Sequence, residues 1–442
     1  CKTCDFDLCK TCIDAAVELL PINVKTNANK VGNNSNKLSK LSRKVKSLIK
    51  TCGNTTRWIR LRFKVLRSLN KMLQPAIPMI DLNLIDTVNG SHENKYDWST
   101  GQCLSKCRHL IFLIIKIGIW KKALLETKSV GSQFSLRLSR PKAWKLKRDF
   151  ILNGKIDRKM NISLFSQFFK HCINSTTISN KSLRRHERLY EVKFLGEDAQ
   201  DAGGPYRESW QDYCSELMSK VLPLFLPVPN EKDAKSINRD QWLPNPYPNG
   251  NDKKLKLHSD AMEFVGKMCG IAIRNELCLP FNFSSIIWKA LSNDKPTIQD
   301  IYEIDASTLS ITTLIRNFNE GNTIQEKIIN FEELELYFCC KTLDGSRTID
   351  LIENGSNIQV KYSNKEEYCK LLENYRLHEF DEQLIALKNG LSYIIPTKPL
   401  TLFTWEEVAT FVTGKPGKMN LILLKKHTTF KRWNGDEQTI LW

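Results

Sequence analysis

Apolar positions recur every three to four residues along most of this 442-residue chain, so helices dominate the elements it predicts. Trp58, Leu61, Val65, Leu66, Leu69 and Met72 carry that spacing over 58–79, with arginines on the other face. A second helical segment covers about 102–126 and contains the apolar run Leu110–Trp120. That run is shorter than the ~18–20 residues of a membrane span and carries Lys116, so it reads as a buried helix. Ile162–Cys172, Trp210–Val221, His258–Asn275 and the stretch holding Leu309, Ile311, Leu314 and Ile315 show the same period. Strand-like alternation marks Phe134–Leu138 and Leu334–Phe338. In the latter, Leu334, Leu336 and Phe338 are expected on one face, and Glu335 and Tyr337 on the other. Leu222–Asn251, rich in Pro and Asn, is expected as a long surface loop.

The rest of the chain is organised around Glu191–Glu208, a short strand, an acidic turn, Gly203-Gly204-Pro205, and a helix from about Tyr206. The glycine pair permits positive φ or close approach, and the proline presets φ for a first helical turn. Asp198, Asp201 and Glu208 read as acids that cap this helix and pair with Arg207. Gly266 and Gly270, four residues apart, let another segment pack closely on their helix. At 414–417, Gly414, Lys415, Pro416 and Gly417 cannot continue a helix and make a natural swivel.

Charge divides the chain. The net charge is +18, but residues 1–190 hold 37 Lys and Arg against 12 Asp and Glu, whereas 191–442 hold 29 against 36. Two units with different partners are expected. The basic half reads mainly as a solvated linker over 24–48, and no nucleic-acid motif accompanies it. A basic amphipathic helix over 58–79 can also suit a membrane surface or a calmodulin-like partner, but core packing is the reading adopted. Fourteen cysteines with no secretory signal point to reduced thiols in the cytoplasm or nucleus. Cys1, Cys4, Cys9 and Cys12 form two Cys-x2-Cys knuckles suited to zinc. The first residue, Cys1, falls inside that motif and the last, Trp442, follows no terminal turn, so the sequence reads as a fragment. Phosphate-loop, zinc-protease and serine-hydrolase motifs do not occur.

Three ordered blocks carry a family likeness. Asp201-Ala202-Gly203-Gly204-Pro205-Tyr206-Arg207-Glu208, then Phe264, Gly266, Gly270, Ala272 and Asn275, then Asp350–Gly355 through Tyr368 and Leu371, resemble the catalytic region of HECT-type ubiquitin-protein ligases. Phe165-Ser166-Gln167 fits the start of that region, and Asn374–Gln383 most resembles the HERC subgroup. The knuckles are similar to the tail of a ZZ-type finger, without its histidines. The resemblance implies a mainly α fold with small β elements (α+β); with composition and periodicity the order is a finger remnant at 1–14, a flexible basic linker at 15–54, a helical region at 55–130, and a connector with the start of the HECT region at 131–190. The N-terminal lobe of a bilobal HECT domain would follow at 191–414, then a hinge and the start of the C-terminal lobe at 415–442. It also implies a small α/β subdomain at about 302–365, where Leu309, Ile311, Leu314, Leu334, Leu336 and Phe338 would receive a ubiquitin-conjugating enzyme. Gly203, Gly204, Arg207, Glu208, Gly266 and Gly270 would be structural. The implied activity is a cysteine-thioester relay of ubiquitin to protein substrates, with no catalytic cofactor and no membrane partner. The family's nucleophile lies in a His-Thr-Cys loop, and no cysteine follows Cys369 here. A non-catalytic scaffold with a HECT-like partner-binding lobe is the alternative.

Overall fold

The computed structural model describes residues 56–80, 99–129, 131–197, 203–246, 252–414 and Leu421. Helix α1 spans Thr56–Ala76, α2 Thr100–Lys106 and α3 Leu113–Glu126. The single helix expected over 102–126 is broken between α2 and α3. Arg108 in the break turns inward to Asp294 and to the carbonyls of Ser292 and Thr401, 3.4 and 3.3 Å away. Asn70 of α1 satisfies the freed backbone there, donating to Leu110 O at 2.8 Å and accepting from Phe112 N at 2.6 Å. These helices are not a separate region, because Leu104, Ile111, Trp120 and Leu124 belong to the main core.

Strand β1 (Phe134–Leu138) pairs in parallel with β2 (Tyr190–Phe194), Phe134 opposite Tyr190 and Leu138 opposite Phe194. Between them run α4 (Arg140–Asn153) and α5 (Leu164–Asn174). Gln167 ties α5 to the end of β1, accepting from Ser139 N at 2.7 Å and donating to Ser139 O at 3.2 Å. Helix α6 (Gly204–Leu217) starts after Gly203, whose φ of +110° only glycine adopts at little cost. It ends at Leu217, four residues short of the expected Val221.

The expected surface loop after α6 is anchored at both ends of its described part, while 232–240 between them is mostly exposed. Strands β3 (Phe225–Pro227) and β4 (Trp242–Pro244) pair antiparallel, and Leu222, Leu224, Phe225, Val228 and Leu243 are buried. Next come α7 (Asp252–Asn275), α8 (Ser285–Leu291), α9 (Ile298–Tyr302), α10 (Ala306–Asn317) and α11 (Ile324–Glu332). Antiparallel β5 (Cys339–Lys341) and β6 (Thr348–Asp350) follow, then α12 (Lys365–His378), α13 (Asp381–Ile394), α14 (Thr397–Leu400) and α15 (Trp405–Thr413). The class is mainly α with small β elements.

Two cores result. The large one centres on an aromatic cluster in which Phe168 meets Tyr213 and Phe264, each at 5.0 Å between ring centres, and Tyr190 meets Tyr206 at 4.8 Å. Each such ring contributes roughly 1.5–3 kcal/mol of burial and up to about 1.5 more from ring–ring geometry. Beside it α7 and α13 pack almost backbone to backbone. A Cβ on Gly266 would overlap the Leu387 carbonyl, and one on Gly390 would overlap the Glu263 carbonyl. The small core comprises Ile315, Phe331, Phe338, Val360, Tyr368, Cys369 and Leu372, so it extends past 365 into α12.

Candidate functional site

The small core builds a knob whose outer surface is unusually apolar. On α10, Thr308, Thr312 and Ile315 turn inward at helical spacing. Asp305 caps the helix by accepting from Thr308 N at 3.1 Å. Outward stand Leu309, Ile311 and Leu314, the last 70% exposed. At 3.6 residues per turn Ile311 and Leu314 share a face, whereas Leu309 lies about 140° from Leu314. The knob therefore does not offer all three to one flat partner.

Leu334–Phe338 does not form the expected strand. Backbone φ turns positive at Glu335 (+48°), and the strand begins only at Cys339. Leu334 and Tyr337 are exposed and Leu336 is partly buried. Phe338 is 1% exposed, edge-on to Tyr368 at 5.8 Å, and so is a core residue with no docking surface to offer. Three exposed isoleucines escaped the sequence reading: Ile324 at 76%, Ile329 and Ile358. Tyr337 bridges to Gln359, next to Ile358 in the chain. Ile324 directly follows the capping residue Thr323 in a Thr-x-x-Glu box, a signal that marks α11 in the sequence.

Polar contacts join the knob to the large body. Asn230, 3% exposed, donates to Ile237 O and Glu303 O at 3.0 Å each and accepts from Ala306 N at 2.8 Å. Beside it opens a cleft of about 650 Å³ lined by Lys220, Pro229, Glu231, Ser310 and Leu343 among others. Within the knob, Arg316 on α10 reaches α12 through Glu373 at 2.6 Å and Glu366 at 3.0 Å. Burial acts to raise Glu373, but hydrogen bonds from Arg316 and Tyr302 outweigh it and hold the carboxyl below its ordinary value.

Each motif residue has its own surroundings. Gly203 supplies the positive φ, while Gly204 has open space around it. Glu208 pairs with Arg140 of α4 at 2.7 Å, in place of the Arg207 pairing expected from sequence. Asp198 and Asp201 lie outside the described residues. Gly266 and Gly270 receive α13, as their spacing suggested. Gly414 ends α15 with φ +80° and ψ 172°, a conformation essentially limited to glycine. Lys415, Pro416 and Gly417, and Cys1, Cys4, Cys9 and Cys12, lie outside the described residues. Among the described residues no cluster of three or more His, Cys, Asp or Glu could hold a metal ion.

Burial removes several thiols as nucleophiles. It pushes Cys269 up to about 12 and Cys340 up to about 11, and drives Cys172, Cys214 and Cys369 upward as well. A thiolate is the reactive form, so none of these five is poised for thioester chemistry near neutral pH.

The structure is thus a helical body carrying a small, separately cored knob with aliphatic residues on its exterior. The chain belongs to the HECT-domain (ubiquitin-transferase) family, whose signature matches residues 211–442. It is 30% identical over 385 residues to the E3 ubiquitin-protein ligases HERC2 of Mus musculus and Homo sapiens, covering 87% of this chain and 7% of each relative. It is 26% identical over 396 residues to the probable E3 ubiquitin-protein ligase HECTD4 of Homo sapiens, covering 84% of this chain and 9% of that protein. The chain thus spans a small part of these relatives.

Proposed function

We propose that this chain is the conjugating-enzyme-binding part of a HECT-type ubiquitin ligase, acting on protein substrates in the cytoplasm or nucleus. The observation that carries this reading is the apolar exterior of the knob, above all Ile311, Leu314 and Leu334 around a core of their own. Aliphatic side chains rimmed by polar residues suit a partner that must bind and then leave. In the ligase reaction a cysteine thiolate attacks the thioester carbonyl on the conjugating enzyme, whose own thiolate departs. A substrate lysine amine then attacks the new thioester and releases the cysteine. The hinge beginning at Gly414 would let the acceptor thiol meet both partners. Because no cysteine follows Cys369, this chain is expected to bind a charged conjugating enzyme without accepting ubiquitin.

Titrating the chain with a panel of conjugating enzymes tests the docking. Ile311→Asp and Leu314→Asp are expected to weaken binding by at least about tenfold while leaving the fold unchanged. If the folded chain binds none of the panel, the scaffold reading replaces this one. A thiol-reducible ubiquitin adduct on the chain would overturn the expectation about the nucleophile.

A further inference from the structure

Helix α1 is unexplained by docking at the knob. Its inward seam is Phe63, Leu66, Asn70 and Leu73, which fall within about 80° of one another at 3.6 residues per turn. Phe63 stacks on Phe112 at 6.0 Å, Leu66 and Asn70 are buried, and Leu73 packs on the main core. The opposite half is organised too. Leu61, Val65 and Met72, 48%, 61% and 68% exposed, lie within about 40° of one another and form a stripe about 17 Å long. Arg60, Lys64, Arg67 and Lys71, all exposed, fall within about 60° of one another along the flank of that stripe. No Asp or Glu occurs anywhere between Leu19 and Ile80.

We infer that α1 is a peripheral docking element for an anionic membrane surface, with Leu61, Val65 and Met72 entering the headgroup region and the four cations meeting lipid phosphates and carboxylates. Charge complementarity and shape choose this occupant. A flat anionic surface meets the stripe and the cationic flank together while the helix stays docked on the body. A partner that wraps a basic helix would have to strip Leu66, Asn70 and Leu73 from their contacts. Nucleic acid would use the cations but gain nothing from three exposed aliphatic side chains. The attachment is superficial, because no described helix is long and apolar enough to cross a membrane.

The test is co-sedimentation of the full chain with vesicles of phosphatidylcholine alone or with phosphatidylserine, at low and high salt. Binding is expected only with phosphatidylserine, and high salt should release it. Each cation is worth about fivefold at such a surface, so Arg60→Glu, Lys64→Glu, Arg67→Glu and Lys71→Glu together should cost at least about a hundredfold. The triple variant Leu61→Ser, Val65→Ser, Met72→Ser should lose about tenfold and keep its salt dependence. All seven positions are exposed, and circular dichroism should report unchanged folds. Failure of the unaltered chain to bind anionic vesicles overturns the inference. So does a serine variant that binds them undiminished, since the basic tract alone would then suffice. Capture by RNA or by an acidic calcium-sensor protein, with vesicles left unbound, would reassign α1 to that partner.

Discussion

Gly266→Ala adds one methyl group where α7 and α13 touch, and the structure fixes what it meets. The new Cβ would overlap Leu387 O, and across the contact Gly390 stands equally close to Glu263 O. Backbone carbonyls cannot swing aside as side chains do, so the helices must part by more than about 1 Å to restore van der Waals spacing. Parting them loosens Val265, Met268, Leu387 and Leu391, all fully buried. Overpacking of this kind costs about 1–3 kcal/mol, and a backbone clash belongs at the upper end. Against it stands the intrinsic gain of alanine over glycine in a helix, about 1 kcal/mol. A net loss of about 2 kcal/mol is therefore expected in urea denaturation followed by circular dichroism. Gly118→Ala in α3 is the internal control: nothing lies within 4 Å of its added methyl, so the propensity gain should appear alone. If Gly266→Ala matches Gly118→Ala, the close approach of α7 and α13 is wrong.

Lys116, 1% exposed, sits 2.8 Å from Glu407 on α15. Lys116→Met should cost about 1–3 kcal/mol in the same assay, and adding Glu407→Gln should recover much of it, because the loss comes from a stranded carboxylate. Glu216 accepts from Phe165 N at 2.8 Å, and burial raises its carboxyl to about 7 against an ordinary 4.5. Between those values the folded state holds a proton that the unfolded state has released, so stability falls as pH rises through the window. Glu216→Gln should remove that fall in denaturation midpoints taken across it. Buried His258, lowered to about 4, acts oppositely: its contribution is lost as pH falls below 6.5. The Glu216→Gln protein should therefore gain stability more steeply than the parent as pH rises from about 4.5 to about 6.5. Phe338→Ala should cost about 3–5 kcal/mol by emptying the small core, whereas Leu314→Ala should stay within about 0.5 kcal/mol in denaturation.

Local chemistry was legible where neighbouring residues decided the outcome. Pro205 after a glycine pair announced the start of α6, and two glycines four apart announced the approach of α13. Features decided by distant residues were not. The break between α2 and α3 exists because Arg108 finds Ser292, Asp294 and Thr401, between about 180 and about 290 positions further along the chain. The Pro- and Asn-rich segment after α6 looked like a loop by composition, yet Leu222, Leu224, Phe225, Val228 and Leu243 anchor it in the core. Phe338 looked like one apolar tooth in an alternating row. The positive φ of Glu335 destroys that alternation and leaves Phe338 in the core. A docking surface is hardest to read, since an aliphatic residue facing solvent and one facing the core give the same periodic signal.

The arrangement of the two cores limits what docking can disturb. Polar ties such as Asn230 connect the knob to the rest, so its exterior can change partners without repacking the aromatic cluster of the large core. The opposite holds at the far end of the lobe. Helix α15 is clamped by Trp120 stacked on Phe411 at 6.2 Å, by Lys116 on Glu407, and by Leu279 N donating to Val412 O at 2.8 Å. Two of those three clamps come from α3, which precedes the family-matched segment by almost a hundred residues. Helix α3 thus anchors α15 through two of its turns. Bending α15 would first have to break a buried ion pair and an aromatic stack.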